Sequence, residues 1–118
     1  MAKGSLPTFM NRQTQARFEA RARILKALAH PTRLFLVDQL SRKSRCVRAL
    51  TRMVGTDIST VSKHLSVLKS VGIVQDQKLG SRVFYRLRAP CVLGFFDCVG
   101  AVMESVAKQQ HKAVSPLR

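Results

Sequence analysis

The sequence predicts a small, mostly α domain with one β-hairpin between its fourth and fifth helices, in the order α-α-α-α-β-β-α. Three observations carry this. Apolar residues recur at helical spacing in four stretches before residue 72, strand-like alternation appears at 82–87, and Gly55, Gly72 and Gly80 fall where the chain must turn. At 118 residues there is material for one core and no second catalytic domain.

Residues 1–13 hold Gly4, Ser5, Pro7 and Asn11 without lasting periodicity, and are expected to form a mobile arm. The main domain is expected over 14–109, with a tail at 110–118. From Thr14 to Ala29, Phe18, Ala22, Leu25 and Leu28 share one helical face. His30-Pro31 ends that helix, because the residue before proline avoids the α region. Pro31 then suits the first turn of a second helix through Leu34, Val37 and Leu40. A polar, basic stretch from Ser41 to Arg45 leads onward.

Between Cys46 and Gly72 two short helices are predicted. Val47, Leu50 and Val54 mark the first, Gly55 supplies a left-handed cap, and Thr56 or Asp57 caps the second. In that second helix Ile58, Val61, Leu65 and Leu68 fall within an arc of about 80°, a core stripe. Two helices joined by a tight glycine turn form a helix-turn-helix. Opposite the stripe lies Lys63, flanked by Ser59 and Thr60, with Ser62, His64 and Ser66 on the shoulders. No carboxylate follows Asp57 on this face. Small hydroxyls with Lys and His suit base edges and phosphates in a major groove.

Ile73-Val74 opens a strand, and Val83, Tyr85 and Leu87 alternate with Arg82, Phe84 and Arg86 in another. Lys78-Leu79-Gly80-Ser81 is the expected turn. A basic hairpin after a helix-turn-helix is a wing, placing Lys78, Ser81 and Arg82 against the DNA backbone or minor groove. The last helix, from Pro90 to about Gln109, carries Val92, Phe95, Phe96, Val99, Val102, Met103 and Val106. The first and last helices hold more apolar surface than one winged helix can bury, which predicts a homodimer through them.

Charge indicates the other partner. Lys and Arg number 21 against 6 acids, for a net charge of +15. By segment it is +5 over 1–30, zero over 31–40, +6 over 41–69, +3 over 70–88 and +1 beyond, so the basic character is not a detachable tail. A polyanion, double-stranded DNA first, is the expected partner. No apolar run reaches membrane-spanning length and no secretory signal opens the chain, so a cytoplasmic protein without a membrane partner is expected. No Cys-x-x-Cys, no glycine-rich phosphate loop and few carboxylates argue against an enzyme. An RNA-binding or structural basic protein remains the other class, although the aromatics sit mostly on apolar stripes.

With these residues in place the chain resembles the ArsR/SmtB family of dimeric winged-helix repressors that respond to metals and metalloids. The resemblance covers roughly 17–105. It rests on Ile24 through Leu34 (ILKALAHPTRL), Asp57 through Leu65 (DISTVSKHL) and Leu68 through Val74 (LKSVGIV). It implies a homodimer on an inverted-repeat operator, with the helix carrying Ser59 to His64 as the reading helix. The inducer motif departs from the family's pattern. Arsenic-type members carry Glu-Leu-Cys-Val-Cys-Asp-Leu where this chain has Ser44-Arg45-Cys46-Val47-Arg48-Ala49-Leu50, so one cysteine of the pair is lost. The zinc-type Asp, His, His, Glu set is missing too: beyond Asp97 and Glu104 only His111 follows.

Cys46, Cys91 and Cys98 are too widely spaced for a secreted disulfide framework and read as reduced thiols. Soft thiolates suit trivalent arsenic or antimony, so the trio forms the candidate inducer site, and no permanent cofactor is expected. Cys46 beside Arg45 and Arg48, and Cys91 at a helix start after Arg86 and Arg88, both favour thiolate. Seven helical residues separate Cys91 from Cys98 by about 10.5 Å, so one ion reaches both only if the helix start unwinds or two chains contribute. The alternative is a repressor that senses oxidants or reactive sulfur through disulfide chemistry.

Overall fold

The computed structural model describes residues 10–114. Five helices surround a three-stranded antiparallel sheet: α1 (Arg12–Leu28), α2 (Pro31–Arg42), β1 (Arg45–Cys46), α3 (Val47–Val54), α4 (Ile58–Ser70), β2 (Val74–Leu79), β3 (Arg82–Leu87) and α5 (Val92–Val114). The winged helix-turn-helix is as expected, with one strand added. β1 pairs with β3 (Arg45 opposite Tyr85, Cys46 opposite Phe84), giving the order β1-β3-β2. Two residues show no alternation, which is why that strand left no periodic signal in the sequence.

Local chemistry sets the boundaries. α1 begins two residues before the expected Thr14, because the Asn11 side chain accepts a hydrogen bond from the Thr14 N–H at 2.8 Å. Of the expected arm over 1–13, residues 1–9 lie outside the described residues and 12–13 are helical. α2 starts at Pro31 behind an unusual cap: His30 accepts from the Thr32 N–H through Nδ1 at 3.1 Å. α3 stops at Gly55, whose φ of 82° is left-handed. The hairpin turn is shorter than expected. Lys78 and Leu79 belong to β2, Leu79 pairs with Arg82, and only Gly80 and Ser81 form the loop. Gly80, at φ 64°, takes the positive angle such a turn requires. α5 runs to Val114, so the first residues of the expected tail at 110–118 are helical.

The core lies where α2, α3 and α4 meet the sheet. Leu36, Val37, Leu50, Val61, Leu65, Leu68 and Val74 are fully buried, with Tyr85 of the central strand beneath them. Val92 enters this core, and Leu93 and Phe96 are packed against it. Most of the remaining apolar surface of α1 and α5 is open. Among the α1 residues only Ala27 and Leu28 are buried, while Phe18, Ile24 and Leu25 are exposed, as are Phe95, Val99 and Met103 of α5. A radius of gyration of 19.3 Å exceeds the roughly 13–14 Å of a compact chain this long, as expected of projecting helices.

Candidate nucleic-acid interface

Helix α4 is fixed from behind by Val61, Leu65 and Leu68, which turns Lys63 outward into solvent. Ile58, expected as a fourth member of the stripe, is instead 49% exposed. As the first helical residue it lies one turn outside the core that begins at Val61. It lines a groove with Ser62 of α4, Ser81 and Arg82 of the wing, and Cys46 and Arg48 at the start of α3.

The hydroxyls at the head of α4 are not free. Ser59 donates to one oxygen of Asp57, and Thr60 donates to the other at 2.6 Å. Those two hydroxyls hold the Asp57 carboxyl far below the usual carboxylate range, so it is ionised at any physiological pH. The outermost polar group at the helix head is therefore an acceptor. Asp57 was read in the sequence only as a cap. The hydroxyls at its second and third following positions were the available signal.

His64 has a different setting from its neighbours. It is half-buried, its Nδ1 accepts from Arg33 Nε at 3.1 Å, and its ring centroid lies 4.4 Å from that of His30. The ring is engaged with α2 rather than turned outward with Lys63. Ser59 and Lys63 are exposed, and Thr60 and Ser62 are half-buried.

On the wing, Lys78, Ser81 and Arg82 are all exposed. The groove brings Arg82 onto the same side as Arg48, a residue read in the sequence as a replaced cysteine and as a charge beside Cys46. The charged side chains that line the groove are Arg48 and Arg82, and the acid at the head of α4 is Asp57. The other wing-side acid, Asp76, is bound to Lys69 at 3.0 Å.

The cysteines are spread out. Cys46 ends β1 and precedes α3, half-buried, while Cys91 just before α5 and Cys98 within it are exposed, and none is in a disulfide. Among the described residues no three His, Cys, Asp or Glu side chains are grouped to hold a metal ion, so one chain does not assemble the expected three-thiolate cluster. The Cys46 thiol is pulled below its ordinary pKa. The Ala49 backbone N–H at the first turn of α3 contributes most, Arg48's N–H and the charges of Arg82 and Arg52 add to it, and burial opposes them.

An apolar groove runs between the end of α1 and α5, lined by Leu25, Leu28, Phe95, Phe96, Val99 and Met103. Among the described residues no helix is long and apolar enough to cross a membrane.

Comparison with known proteins agrees with this architecture. Residues 30–76 match the model described as "Bacterial regulatory protein, arsR family". The chain is 37% identical over 81 residues to the HTH-type transcriptional repressor SmtB of Mycobacterium tuberculosis, 69% of this chain and 60% of that protein. It thus spans less than two thirds of that relative's length. It is 33% identical to the Biofilm growth-associated repressor of Xylella fastidiosa, covering 74% of this chain and 76% of that one. Among solved structures, a homodimeric winged helix-turn-helix DNA-binding domain from Mycobacterium bovis superposes with a TM-score of 0.72 at 30% identity, over 87% of this chain and 95% of that one. The transcriptional repressor BigR from Xylella fastidiosa gives 0.61 at 30% identity, over 80% and 97%.

Proposed function

Because the chain belongs to the ArsR family of bacterial regulatory proteins, we propose that it is a transcriptional repressor that binds an inverted-repeat operator as a homodimer. A thiophilic inducer, trivalent arsenic or antimony held by cysteine thiolates, releases it. The observation that carries the DNA-binding reading is the cationic groove. Arg48 and Arg82 line the groove beside α4, while Lys63 on the outer face of that helix and the wing's Lys78 are exposed. Such a surface neutralises phosphates on both sides of a helix seated in the major groove. Ser59, Thr60 and Ser62 line the approach, and His64 acts by holding α4 against α2. Dimerisation through α1 and α5 covers the apolar groove between them and sets the spacing of the two reading helices.

For the inducer, Cys91 is the first ligand, with Cys98 or Cys46 completing the site. Since no single chain groups the three, ligands from two chains meet the need. Cys91 and Cys98 both belong to the dimer-forming end of the molecule, where a small distortion changes the angle between reading heads. The inducer then needs to favour the DNA-incompetent dimer by only a few kcal/mol. The test is a titration of duplex from the region flanking the gene, under reducing conditions, with and without arsenite. Wild type should bind and then release, and Cys91→Ser should bind equally but stay bound. Unchanged release from all three single Cys→Ser variants would remove the thiolate site.

The lowered Cys46 thiol favours a second reading, in which that thiolate attacks an oxidant or reactive sulfur species and the oxidised sulfur then condenses with a second cysteine to a disulfide. Release by polysulfide or peroxide, with no response to arsenite, selects it.

A further inference from the structure

We propose that Ile58 is a specificity-determining residue that reads the C5-methyl group of one thymine in each operator half-site. This rests on the DNA-binding role of α4 and deepens it.

The three other core-stripe aliphatics of α4 are fully buried, whereas Ile58 is 49% exposed at the helix's first position. A half-exposed isoleucine in a groove floored by Val47 and Val83 leaves apolar surface in contact with water. The homodimer does not cover it, because the apolar groove between α1 and α5 is built from other residues. What surrounds Ile58 identifies the occupant. Arg48 and Arg82 line the same groove, Lys63 lies further along the outer face, and the chain carries +15 overall. That is complementary to a phosphate backbone passing between reading helix and wing, and repels a basic partner.

Within a major groove, thymine alone among the four bases presents a methyl group; the others show only donors and acceptors. In a helix-turn-helix the N-terminal residues of the reading helix contact base edges. Here Ser59 and Thr60 have their hydroxyls directed to Asp57, which leaves Ile58 as the first-turn side chain without a polar engagement. Its contact is with carbon, and a methyl buried against it is worth about a fourfold change in affinity per half-site.

The experiment selects binding sites for the wild-type protein from a random duplex library, then replaces each thymine singly by deoxyuridine, which lacks only that methyl. Wild type, Ile58→Ala and Ile58→Val are compared. One symmetry-related pair of thymines should weaken wild-type binding about fourfold per half-site when replaced. Ile58→Ala should be indifferent there while keeping its other preferences, and Ile58→Val should retain most of the effect. A wild-type deoxyuridine profile that is flat, or that Ile58→Ala reproduces, overturns the proposal while leaving DNA binding intact. Failure of the wild type to select any duplex removes the DNA-binding reading and this one with it. Should Ile58→Ala not fold, the wild-type and Ile58→Val profiles decide alone.

Discussion

Arg33 donates from Nε to Nδ1 of His64 at 3.1 Å, a contact across 31 positions of sequence that fastens the reading helix to α2. The same guanidinium reaches backward through Nη1 to the carbonyl oxygens of Ala27 at 3.2 Å and Lys26 at 3.4 Å. Those carbonyls end α1, where orphan acceptors need partners. One side chain thus ties three helices, and the His30 ring, which caps α2, rests against His64 at the same point.

Arg33→Met keeps the aliphatic stem but removes every donor. It should lower unfolding free energy by about 2 kcal/mol, read from the urea midpoint, since hydrogen bonds to a charged group contribute about 1.5–3 kcal/mol. Arg33→Lys should recover little, because a point charge cannot serve an imidazole and two carbonyls in diverging directions. A midpoint unchanged in Arg33→Met would mean the clamp is ornamental.

The clamp gives the fold a pH dependence. Burial first, then the electrostatic influence of His30 and Arg33, hold the His64 pKa below its ordinary 6.5. The folded state therefore prefers the neutral ring, which Arg33 needs as an acceptor. The stability is fully present above 6.5 and is lost as pH falls below it toward the folded value. The melting temperature should drop between pH 7 and pH 5 in the wild type, and less steeply in His64→Gln, whose amide oxygen accepts without titrating. Parallel pH profiles would show that His64 does not titrate in this window.

Under the proposed DNA-binding role, Arg82 and Arg48 should separate from Lys63 in their salt behaviour. Arg82→Ala and Arg48→Ala should each weaken binding to all duplexes alike and reduce the slope of log affinity against log salt by about one. Lys63→Ala should weaken the selected site more than random DNA, with an unchanged melting temperature because Lys63 faces solvent. A Lys63→Ala variant that unfolds would mean α4 is rotated from the phase its buried stripe indicates.

Helix positions, the glycine turns and the wing were legible because each rests on periodicity or on a residue with a narrow backbone role. Val61, Leu65 and Leu68 fell into the core as their spacing requires. Ile58 fits that spacing equally well, but its place at the helix end, beyond the core, is a tertiary fact. Asp57 holding Ser59 and Thr60 was local enough to be read, yet helical phase, by which the outer face was judged, carries no sign of those hydrogen bonds. His64 sits on the shoulder between faces, and only the partner helix decides which side it joins. Arg48 was legible as a charge beside Cys46, but its sharing one groove with Arg82 of the wing is a tertiary fact.

The dimer prediction is sharpened by where α5 is and is not buried. Phe95 is 45% exposed and Val99 41%, on a helix anchored at its start by Val92, so a carboxylate at either position enters no core of its own chain. For Phe95→Glu and Val99→Glu the outcomes to separate are a monomer and an unfolded chain. The geometry favours a folded monomer, with a melt that no longer depends on protein concentration. Val92→Glu is the contrast, since Val92 is buried and an unpaired carboxylate there costs several kcal/mol and should unfold the domain. Sedimentation of the first two variants at micromolar concentration should give one chain's mass with native helical content. Their operator affinity should fall toward that of a single half-site, because each reading head then binds without the other's help. A wild type that sediments as a monomer off DNA would leave the α1–α5 surface without its partner copy, and the two-fold operator reading would lose its basis.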